Sequence, residues 1–485
     1  MNVSFFQELL NGVAERGRHL LDRSLGGVDP TRELTELSRA LLSGRGEASG
    51  VALAQEILAQ YGVLAPEAQR AFFRFLTDEL SPDEAMLREA AEGYLESPNA
   101  VSLNALARAV EAPRAEFFRR LNLAPGATAK LVAMRARLLI CMESEPNLKP
   151  VDDDLMLLFQ SWFNRGFLLL RRIDWTTPAS ILDKIIAYEA VHEIQGWDDL
   201  RRRLDPSDRR CFAFFHPSLV DDPLIFVEVA LTGELPGSIQ SLLTEERKVE
   251  DGEAAPTTAV FYSISNCQEG LRGISFGNFL IKQVVEDLAR ELPSLKSFVT
   301  LSPVPRFRSW LATIKDTVDN TLLSEADREV LQLLHDPGWI LEQERQQVLK
   351  NVLLPLAAHY FMAAKRADSL PIDPVARFHL GNGARLERLN WLGDVSEKGL
   401  GEAYGLMVNY LYDPREIERN HEGFANHGTV ATARPIRSLL KPASRALVSA
   451  GLVEGASAQE AEPEVEPVVE TDGIESTNDL VEAQD

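Results

Sequence analysis

A chain of 485 residues is too long for one ordinary hydrophobic core, and a typical length of about 150 residues per domain predicts two or three domains. Its content of 45% hydrophobic and 25% charged residues is typical of a globular protein and excludes wholesale disorder. The formal net charge of -23 excludes general binding to nucleic acids or anionic membranes, because both require a positive surface.

Residues 1–164 are predicted to form an all-helical domain. Apolar residues recur at spacings of three and four along 51–61 and 66–76, which is the period of an amphipathic helix. Ser81, followed by Pro82 and acidic residues, is typical of a helix start. Strand patterns are nearly absent here, and this region has no evident chemistry of its own.

A mixed α/β domain is predicted from residue 165 to residue 453. Short runs rich in β-branched and aromatic residues predict buried strands at 211–215, 224–231, 258–264 and 297–301. A polar stretch at 245–256 is predicted as a surface loop, and a helical insertion is predicted at 319–366.

An acidic disordered tail is predicted at 454–485. Residues 451–485 contain eleven acidic residues and no Lys or Arg, so about half of the net negative charge is local. Such a segment cannot bury enough apolar surface to offset the entropy of the chain.

Cysteine usage and hydropathy bear on the cellular compartment. Three cysteines, Cys141, Cys211 and Cys267, are too few and too scattered for a disulfide framework or a thiolate metal cluster. The N-terminus lacks a signal-peptide pattern, and no stretch approaches 18 uncharged apolar residues. We therefore predict a cytoplasmic protein that binds neither nucleic acid nor membrane and holds no metal.

The segment Arg272–Asn278 is the strongest candidate for ligand binding. It lies between the predicted strand at 258–264 and a predicted helix at 278–292, and backbone N–H groups at a helix start can bind phosphate. Gly273 and Gly277 permit close approach of a ligand to the backbone, and the guanidinium of Arg272 can donate hydrogen bonds to a phosphate group. The glycine patterns of Rossmann and Walker loops are absent from the segment. On pattern alone, a simple turn remains the other interpretation.

This segment resembles the Arg/Gln-x-x-Gly-x-Gly/Ala signature of GNAT-type acetyltransferases, which implies coenzyme A (CoA) as the ligand. Over a wider span, from about residue 165 to residue 412, the chain resembles the malonyl-CoA decarboxylase family. The motifs that carry this resemblance are Phe261-Tyr-Ser-Ile-Ser265, Leu301-Ser-Pro-Val-Pro305, Pro374-Val-Ala-Arg-Phe-His-Leu-Gly-Asn-Gly383, Asn390-Trp391, Asp394-Val-Ser396 and Gly405-Leu-Met-Val-Asn-Tyr410.

The resemblance implies an α+β architecture, in which an all-helical N-terminal domain used in self-association precedes a GNAT-like catalytic domain. It implies cleavage of malonyl-CoA to acetyl-CoA and carbon dioxide without a metal or organic cofactor, by a homo-oligomer that is a dimer or tetramer. The catalytic positions carried over are Ser302 in Leu-Ser-Pro and His379 in Phe-His-Leu. The CoA-binding positions carried over are Arg272, Gly273, Ile274, Ser275, Phe276, Gly277 and Asn278.

Decarboxylation of a malonyl thioester needs few protein groups, because the thioester itself accepts the electron pair that carbon dioxide leaves behind. Ser302 is expected to orient the carboxylate or an attached water and not to become acylated. His379 is expected to titrate near neutrality and to donate a proton to the enolate carbon or a hydrogen bond to its oxygen. A backbone N–H near Ser302 or near Tyr262 is expected to meet the thioester oxygen.

Three further residues are candidates for the substrate pocket: His216, Asn382 and Tyr412. For His216, the sequence favours a hydrogen-bonded turn residue over a role in the pocket. Glu228 lies inside an apolar run and is expected to face either a cleft or solvent at a sheet edge. Two alternative functions stay open: a GNAT-type acyltransferase, for which Glu228 is the available base, and a CoA-binding regulator without turnover.

Overall fold

The computed structural model describes residues 30–43, 47–244, 255–274, 280–316 and 322–450. The predictions for residues 245–254, for residues 275–278 of the CoA segment and for the acidic tail lie outside this part of the chain. The chain divides into two compact units, of which unit 1 comprises Met1–Tyr188, Phe212–Phe226 and Asn266–Leu280, and unit 2 comprises Glu189–Cys211, Val227–Ser265 and Ile281–Asp485.

Helices make up nearly all of the described chain before the first strand, which confirms the predicted helical region. They are α1 (Pro30–Leu42), α2 (Glu47–Val63), α3 (Pro66–Asp78), α4 (Glu84–Glu96), α5 (Ala100–Val110), α6 (Pro113–Leu121), α7 (Ala127–Met142) and α8 (Lys149–Trp162). The helix start predicted near Ser81 corresponds to the start of α4. Its N-cap is Asp83, whose side chain accepts hydrogen bonds from the backbone N–H groups of Ala85 and Met86.

Aromatic side chains form the core of these helices within unit 1. Phe72, Phe73, Phe117 and Phe118 are fully buried, and the ring of Tyr61 lies 5.7 Å from that of Phe72. Each amphipathic helix therefore buries its apolar stripe against its neighbours, as the spacing of apolar residues predicts.

The remainder of the chain combines a sheet with further helices, which confirms the mixed α/β prediction. The strands are β1 (Leu169–Ile173), β2 (Arg209–Phe215), β3 (Pro223–Thr232), β4 (Thr258–Asn266), β5 (Ser297–Thr300), β6 (Ser302–Pro303), β7 (Arg385–Asn390) and β8 (Met407–Leu411). Hydrogen-bonded neighbours follow the order β1-β2-β3-β4-β5-β8-β6, and β7 pairs with β8. All four predicted strands are present, whereas β1, β6, β7 and β8 were not predicted.

The helices of this second part are α9 (Ala179–Tyr188), α10 (Trp197–Leu204), α11 (Ile239–Thr244), α12 (Leu280–Glu291), α13 (Phe307–Asp316), α14 (Glu325–Gln332), α15 (Gln343–Met362), α16 (Pro374–Gly381), α17 (Glu397–Ala403), α18 (Ile417–His427), α19 (Arg434–Leu439) and α20 (Pro442–Ala450). The helical insertion predicted at 319–366 corresponds to α14, α15 and two short 3-10 turns between them, in the part of it that is described.

Strands β4 and β5 are parallel and separate before β4 ends. Their pairing runs from Thr258 opposite Ser297 to Phe261 opposite Thr300, and the Leu301 N–H donates to the Phe261 carbonyl at 2.9 Å. The chain after Leu301 then pairs with β8 instead of β4. The later residues of β4 therefore have no partner on β5.

Within the described residues, no helix is both long enough and apolar enough to cross a membrane. Among the same residues, no group of three or more His, Cys, Asp or Glu side chains is arranged to hold a metal ion.

Candidate active site

Ser302 and His379, which are 77 residues apart in the chain, lie within hydrogen-bond distance of each other in unit 2. The Ser302 Oγ is 3.2 Å from the His379 Nε2. Ser302 lies on β6, where it pairs with Val408 of β8, and His379 lies in the last turn of α16. Both side chains are buried, with 5% and 3% of their residue surface exposed.

A buried aspartate fixes the helix that carries His379. Asp373 is the N-cap of α16 and accepts the Ala376 N–H at 2.8 Å, while Pro374 occupies the first turn, where no donor is lost. The Tyr360 hydroxyl donates to the second Asp373 oxygen at 3.2 Å. Burial raises the pKa of Asp373 to about 6, so these hydrogen bonds only partly offset its removal from water.

Two tyrosines hold the His379 ring. The Tyr412 hydroxyl lies 2.7 Å from Nδ1, and the Tyr410 ring stacks on the imidazole with 4.6 Å between centroids. Burial lowers the pKa of His379 to about 3. The ring is therefore neutral at physiological pH, which corrects the expectation that His379 titrates near neutrality.

The hydrogen bonds of Ser302 and Tyr412 determine which ring nitrogen of His379 carries the proton. Tyr412 is fully buried, its pKa is raised well above the usual value by burial, and its hydroxyl has no other partner among the described residues. A buried hydroxyl left without an acceptor is costly, so Tyr412 donates to Nδ1. The proton of neutral His379 is then on Nε2, which donates to the Ser302 Oγ.

The next hydrogen bond, from Ser302 to Thr300, has the same donor-to-acceptor direction. Its hydroxyl donates to the Thr300 Oγ1 at 2.9 Å, and Thr300 Oγ1 also accepts the Tyr410 N–H at 3.1 Å. The donors are therefore ordered from Tyr412 through His379 and Ser302 to Thr300. In a serine nucleophile the histidine accepts the serine proton, which is the opposite direction.

A side-chain amide supports this chain of hydrogen bonds from β8. Asn409, which is fully buried, donates to the Thr300 carbonyl at 2.7 Å. Its Oδ1 accepts from Asn390 Nδ2 at 2.8 Å and from Arg388 Nε at 3.1 Å. Thr300 is thus fixed through both its side chain and its backbone, and Ser302 with it.

Glu228 lies neither in a cleft nor at a solvent edge. Its residue is 0% exposed, and its Oε2 accepts from Arg203 Nη1 at 3.2 Å. Burial and the nearby Glu189 raise its pKa to about 8, against the opposing effect of Arg203. A carboxyl group held in this way is not available as a base toward an external amine.

The CoA segment is described only from Arg272 to Ile274, in unit 1. The Arg272 N–H donates to the Glu269 carbonyl at 3.1 Å, and the Ile274 N–H donates to the Leu271 carbonyl at 3.0 Å. Gly273 has a φ of 78°, a left-handed conformation that favours glycine. Whether the segment binds CoA stays a prediction.

The three predicted pocket residues have structural partners. His216, in unit 1, accepts the Ser218 N–H at 3.2 Å and packs 4.8 Å from the Phe163 ring, as expected of a turn residue. Asn382, in unit 2, follows α16 and donates to the Phe378 carbonyl at 2.6 Å. Tyr412 contacts the imidazole of His379, as described above.

The sequence reading missed several residues of the site. Asp373 was visible in principle, because Asp-Pro before a helix is a start signal. Thr300 lies two residues before Ser302, within the strand predicted at 297–301. Nothing in the neighbouring sequence indicates that its side chain belongs to the site. Tyr410 ends the motif Gly405-Leu-Met-Val-Asn-Tyr410, which carries the family resemblance. Its stacking on His379 depends on how β8 pairs in the sheet, which the sequence does not show.

Comparison with known proteins agrees with these motifs. Residues 166–450 match the family described as Malonyl-CoA decarboxylase C-terminal domain, and residues 80–163 match Malonyl-CoA decarboxylase N-terminal domain. The chain is 34% identical over 464 residues to the mitochondrial malonyl-CoA decarboxylase of Rattus norvegicus, covering 89% of this chain and 92% of the rat protein.

Two bacterial crystal structures are similar over 84% of this chain. The malonyl-CoA decarboxylase from Rhodopseudomonas palustris is 54% identical, with a TM-score of 0.81 and 99% of its chain covered. The malonyl-CoA decarboxylase from Agrobacterium vitis is 55% identical, with a TM-score of 0.80 and 100% of its chain covered.

Proposed function

Because this chain belongs to the malonyl-CoA decarboxylase family, we infer that it is a carboxy-lyase that converts malonyl-CoA to acetyl-CoA and carbon dioxide. The observation that carries the assignment of the reacting side chains is the buried hydrogen bond between Ser302 and His379. We propose that these two side chains act on the malonyl group.

The proposed role of Ser302 and His379 is to bind the malonyl carboxylate. The His379 Nε2–H and the Ser302 O–H are both donors, and a carboxylate can accept from both in place of their present acceptors. Holding the carboxylate out of the plane of the thioester aligns the breaking carbon–carbon bond with the carbonyl π system. Loss of carbon dioxide then leaves an enolate on the thioester.

The proton for the enolate carbon can also come through His379. The negative carboxylate of a bound substrate favours the charged form of the ring and so raises its pKa from about 3. His379 then takes up one proton at Nδ1, where the Tyr412 hydroxyl turns from donor to acceptor, and gives its Nε2 proton to the enolate carbon, which returns the ring to neutrality. The overall reaction consumes one proton and releases one carbon dioxide.

The thioester oxygen is proposed to accept a hydrogen bond from the backbone of β4. Phe261 directs its backbone groups toward β5, so Ser263, two residues later, directs its own toward the same side. That side has lost its strand partner, because β5 ends at Thr300. The Ser263 N–H is therefore the backbone donor that we assign to the developing oxyanion.

The segment Arg272–Asn278 is proposed to bind the CoA moiety. Support comes from the left-handed Gly273, which brings backbone N–H groups within reach of an anion, and from the guanidinium of Arg272. The segment would hold the carrier of the substrate and would break no bond.

The activity is tested with purified protein and malonyl-CoA, followed by mass spectrometry with and without an added amine. We expect acetyl-CoA and carbon dioxide in equal amounts, independent of the amine and undiminished by a metal chelator. Release of free CoA only when the amine is present would identify an acyltransferase instead. Tight binding of CoA without any product would identify a regulator.

Replacing Tyr412 with phenylalanine tests the tautomer of His379. Tyr412→Phe removes the donor to Nδ1, so the ring proton is free to move to Nδ1 and the Nε2 donor is lost part of the time. We expect kcat to fall roughly tenfold, as for loss of one hydrogen bond of about 1.4 kcal/mol. Steady-state kinetics at saturating malonyl-CoA would measure it, and an unchanged kcat would show that Tyr412 only fills space.

Self-association is proposed to involve helices α4 and α5. Neither helix has a fully buried residue within the single chain, and their apolar side chains are largely exposed. The exposed side chains are Met86, Leu95, Val101, Leu103 and Val110. The homo-oligomeric state, the cytoplasmic location and the domain boundaries at residues 164 and 453 stay predictions.

A further inference from the structure

We propose that Arg135, in helix α7, is a positioning residue for the CoA segment, so that the helical region helps to orient the backbone that binds CoA. This inference rests on the proposed function of that segment. It concerns only unit 1 and the described residues Gly270–Ile274.

Arg135 is a buried cation that binds the backbone of the segment. Its Nη1 donates to the Gly270 carbonyl at 2.8 Å and to the Arg272 carbonyl at 2.7 Å, and its residue is 1% exposed. Its Nε donates to Asp152 Oδ1 at 2.7 Å, so the guanidinium is also paired with a carboxylate of α8. Hydrogen bonds from a charged donor are stronger than neutral ones, and removal of Arg135 takes this donor from the buried Gly270 carbonyl and the part-buried Arg272 carbonyl.

Close contact between main chains holds the same segment against α7. A Cβ atom added to Gly270 would lie 1.8 Å from the Val132 carbonyl oxygen and 2.6 Å from its carbon. Only glycine fits between the helix and the turn at Glu269–Leu271. Gly270 and Arg135 thus fix the position and the orientation of the turn together.

The contact at the Arg272 carbonyl determines where the next N–H points. In a trans peptide the C=O and the following N–H point in opposite directions. Since the Arg272 carbonyl is directed at Arg135, the Gly273 N–H is directed away from it. That N–H has no acceptor among the described residues, and Gly273 is exposed. The direction that Arg135 imposes therefore presents a free donor to a ligand.

An N–H presented in this way fits an anionic group, and the pyrophosphate of CoA is the anion that the proposed function supplies. Arg135 does not touch the ligand. It acts by holding the peptide between Arg272 and Gly273 in the orientation that offers the donor outward.

The test uses the full-length protein with Arg135→Met and, as a matched control, Arg114→Met. Arg114 is a second buried arginine of the helical region, 2.5 Å from Asp154, with 7% of its side chain exposed. Isothermal titration with CoA and steady-state kinetics with malonyl-CoA would be measured for both variants. For Arg135→Met we expect the Kd for CoA and the KM to rise about 10- to 100-fold with kcat nearly unchanged, because the reacting groups are intact.

The control separates positioning from general loss of packing. Arg114→Met should leave the Kd and the KM unchanged even if its melting temperature falls. Should Arg135→Met fail to fold, Arg135→Lys keeps the charge but cannot reach both carbonyls and Asp152 at once, and the same rise in Kd and KM is expected. An unchanged Kd, a fall in kcat alone, or an equal effect in Arg114→Met would overturn the inference. If CoA affinity depends on Arg135 as expected but the wild-type protein releases no carbon dioxide from malonyl-CoA, the proposed function would be overturned instead.

Discussion

Replacing His379 with asparagine is expected to lower kcat for malonyl-CoA by roughly 10³-fold while leaving the Kd for CoA unchanged. An asparagine side chain is shorter than histidine, so its amide reaches the position of Nδ1 and can keep the hydrogen bond to Tyr412. It cannot reach the position of Nε2, 3.2 Å from Ser302. The variant therefore loses the donor to the carboxylate and the route by which the enolate receives a proton.

A second buried serine–histidine pair in unit 2 provides a matched control. The His359 Nδ1 lies 2.9 Å from the Ser444 Oγ, and both residues are 1% exposed. His359→Asn removes a buried imidazole of the same kind, so it should lower the melting temperature and leave kcat unchanged. If His379→Asn and His359→Asn reduced kcat equally, the effect would be one of folding and His379 would have no catalytic role.

His379→Asn also tests whether the His379 ring is neutral in the folded protein. Its pKa is about 3 in the folded chain and near 6.5 when unfolded, so the unfolded chain binds more protons between these values. The free energy of unfolding of the wild type should therefore fall as the pH falls below about 6.5, by up to about 1.4 kcal/mol per pH unit from this group. His379→Asn lacks this contribution. Denaturant unfolding at several pH values would measure the difference, and parallel curves would contradict the neutral buried ring.

The sequence predicted the helical region, four buried strands and the motifs of the site, because these depend on local spacing and on resemblance to a family. It could not predict what burial does to a side chain. His379 was expected to titrate near neutrality, yet its flanking Phe378 and Leu380 do not reveal that two tyrosines enclose its ring. Arg135, on a helix of mixed apolar and basic residues, likewise gives no sign that it is buried against backbone carbonyls.

Replacing Ser302 with alanine is expected to lower kcat by roughly 10²-fold. The hydroxyl accepts from His379 and donates to Thr300, so its loss removes one donor to the substrate carboxylate and breaks the ordered chain of hydrogen bonds. The effect should be smaller than that of His379→Asn, because the imidazole donor and the proton route remain. Steady-state kinetics measure the loss, with Ser444→Ala as the control for a buried serine beside a histidine.

The direction of the hydrogen bonds also predicts that Ser302 does not form a covalent adduct with the substrate, and Ser302→Ala helps to test this. A serine that attacks a thioester must give its proton to the histidine, but Nε2 of His379 already carries a proton because Tyr412 donates to Nδ1. Ser302 is therefore not activated as a nucleophile. Intact-protein mass spectrometry of the wild type during turnover should show no acetyl or malonyl adduct. An adduct that is present in the wild type and absent in Ser302→Ala would reverse the assigned tautomer and make Ser302 a covalent catalyst. Without such an adduct, the residual activity of Ser302→Ala would come from His379 and the backbone of β4, which do not depend on the serine hydroxyl.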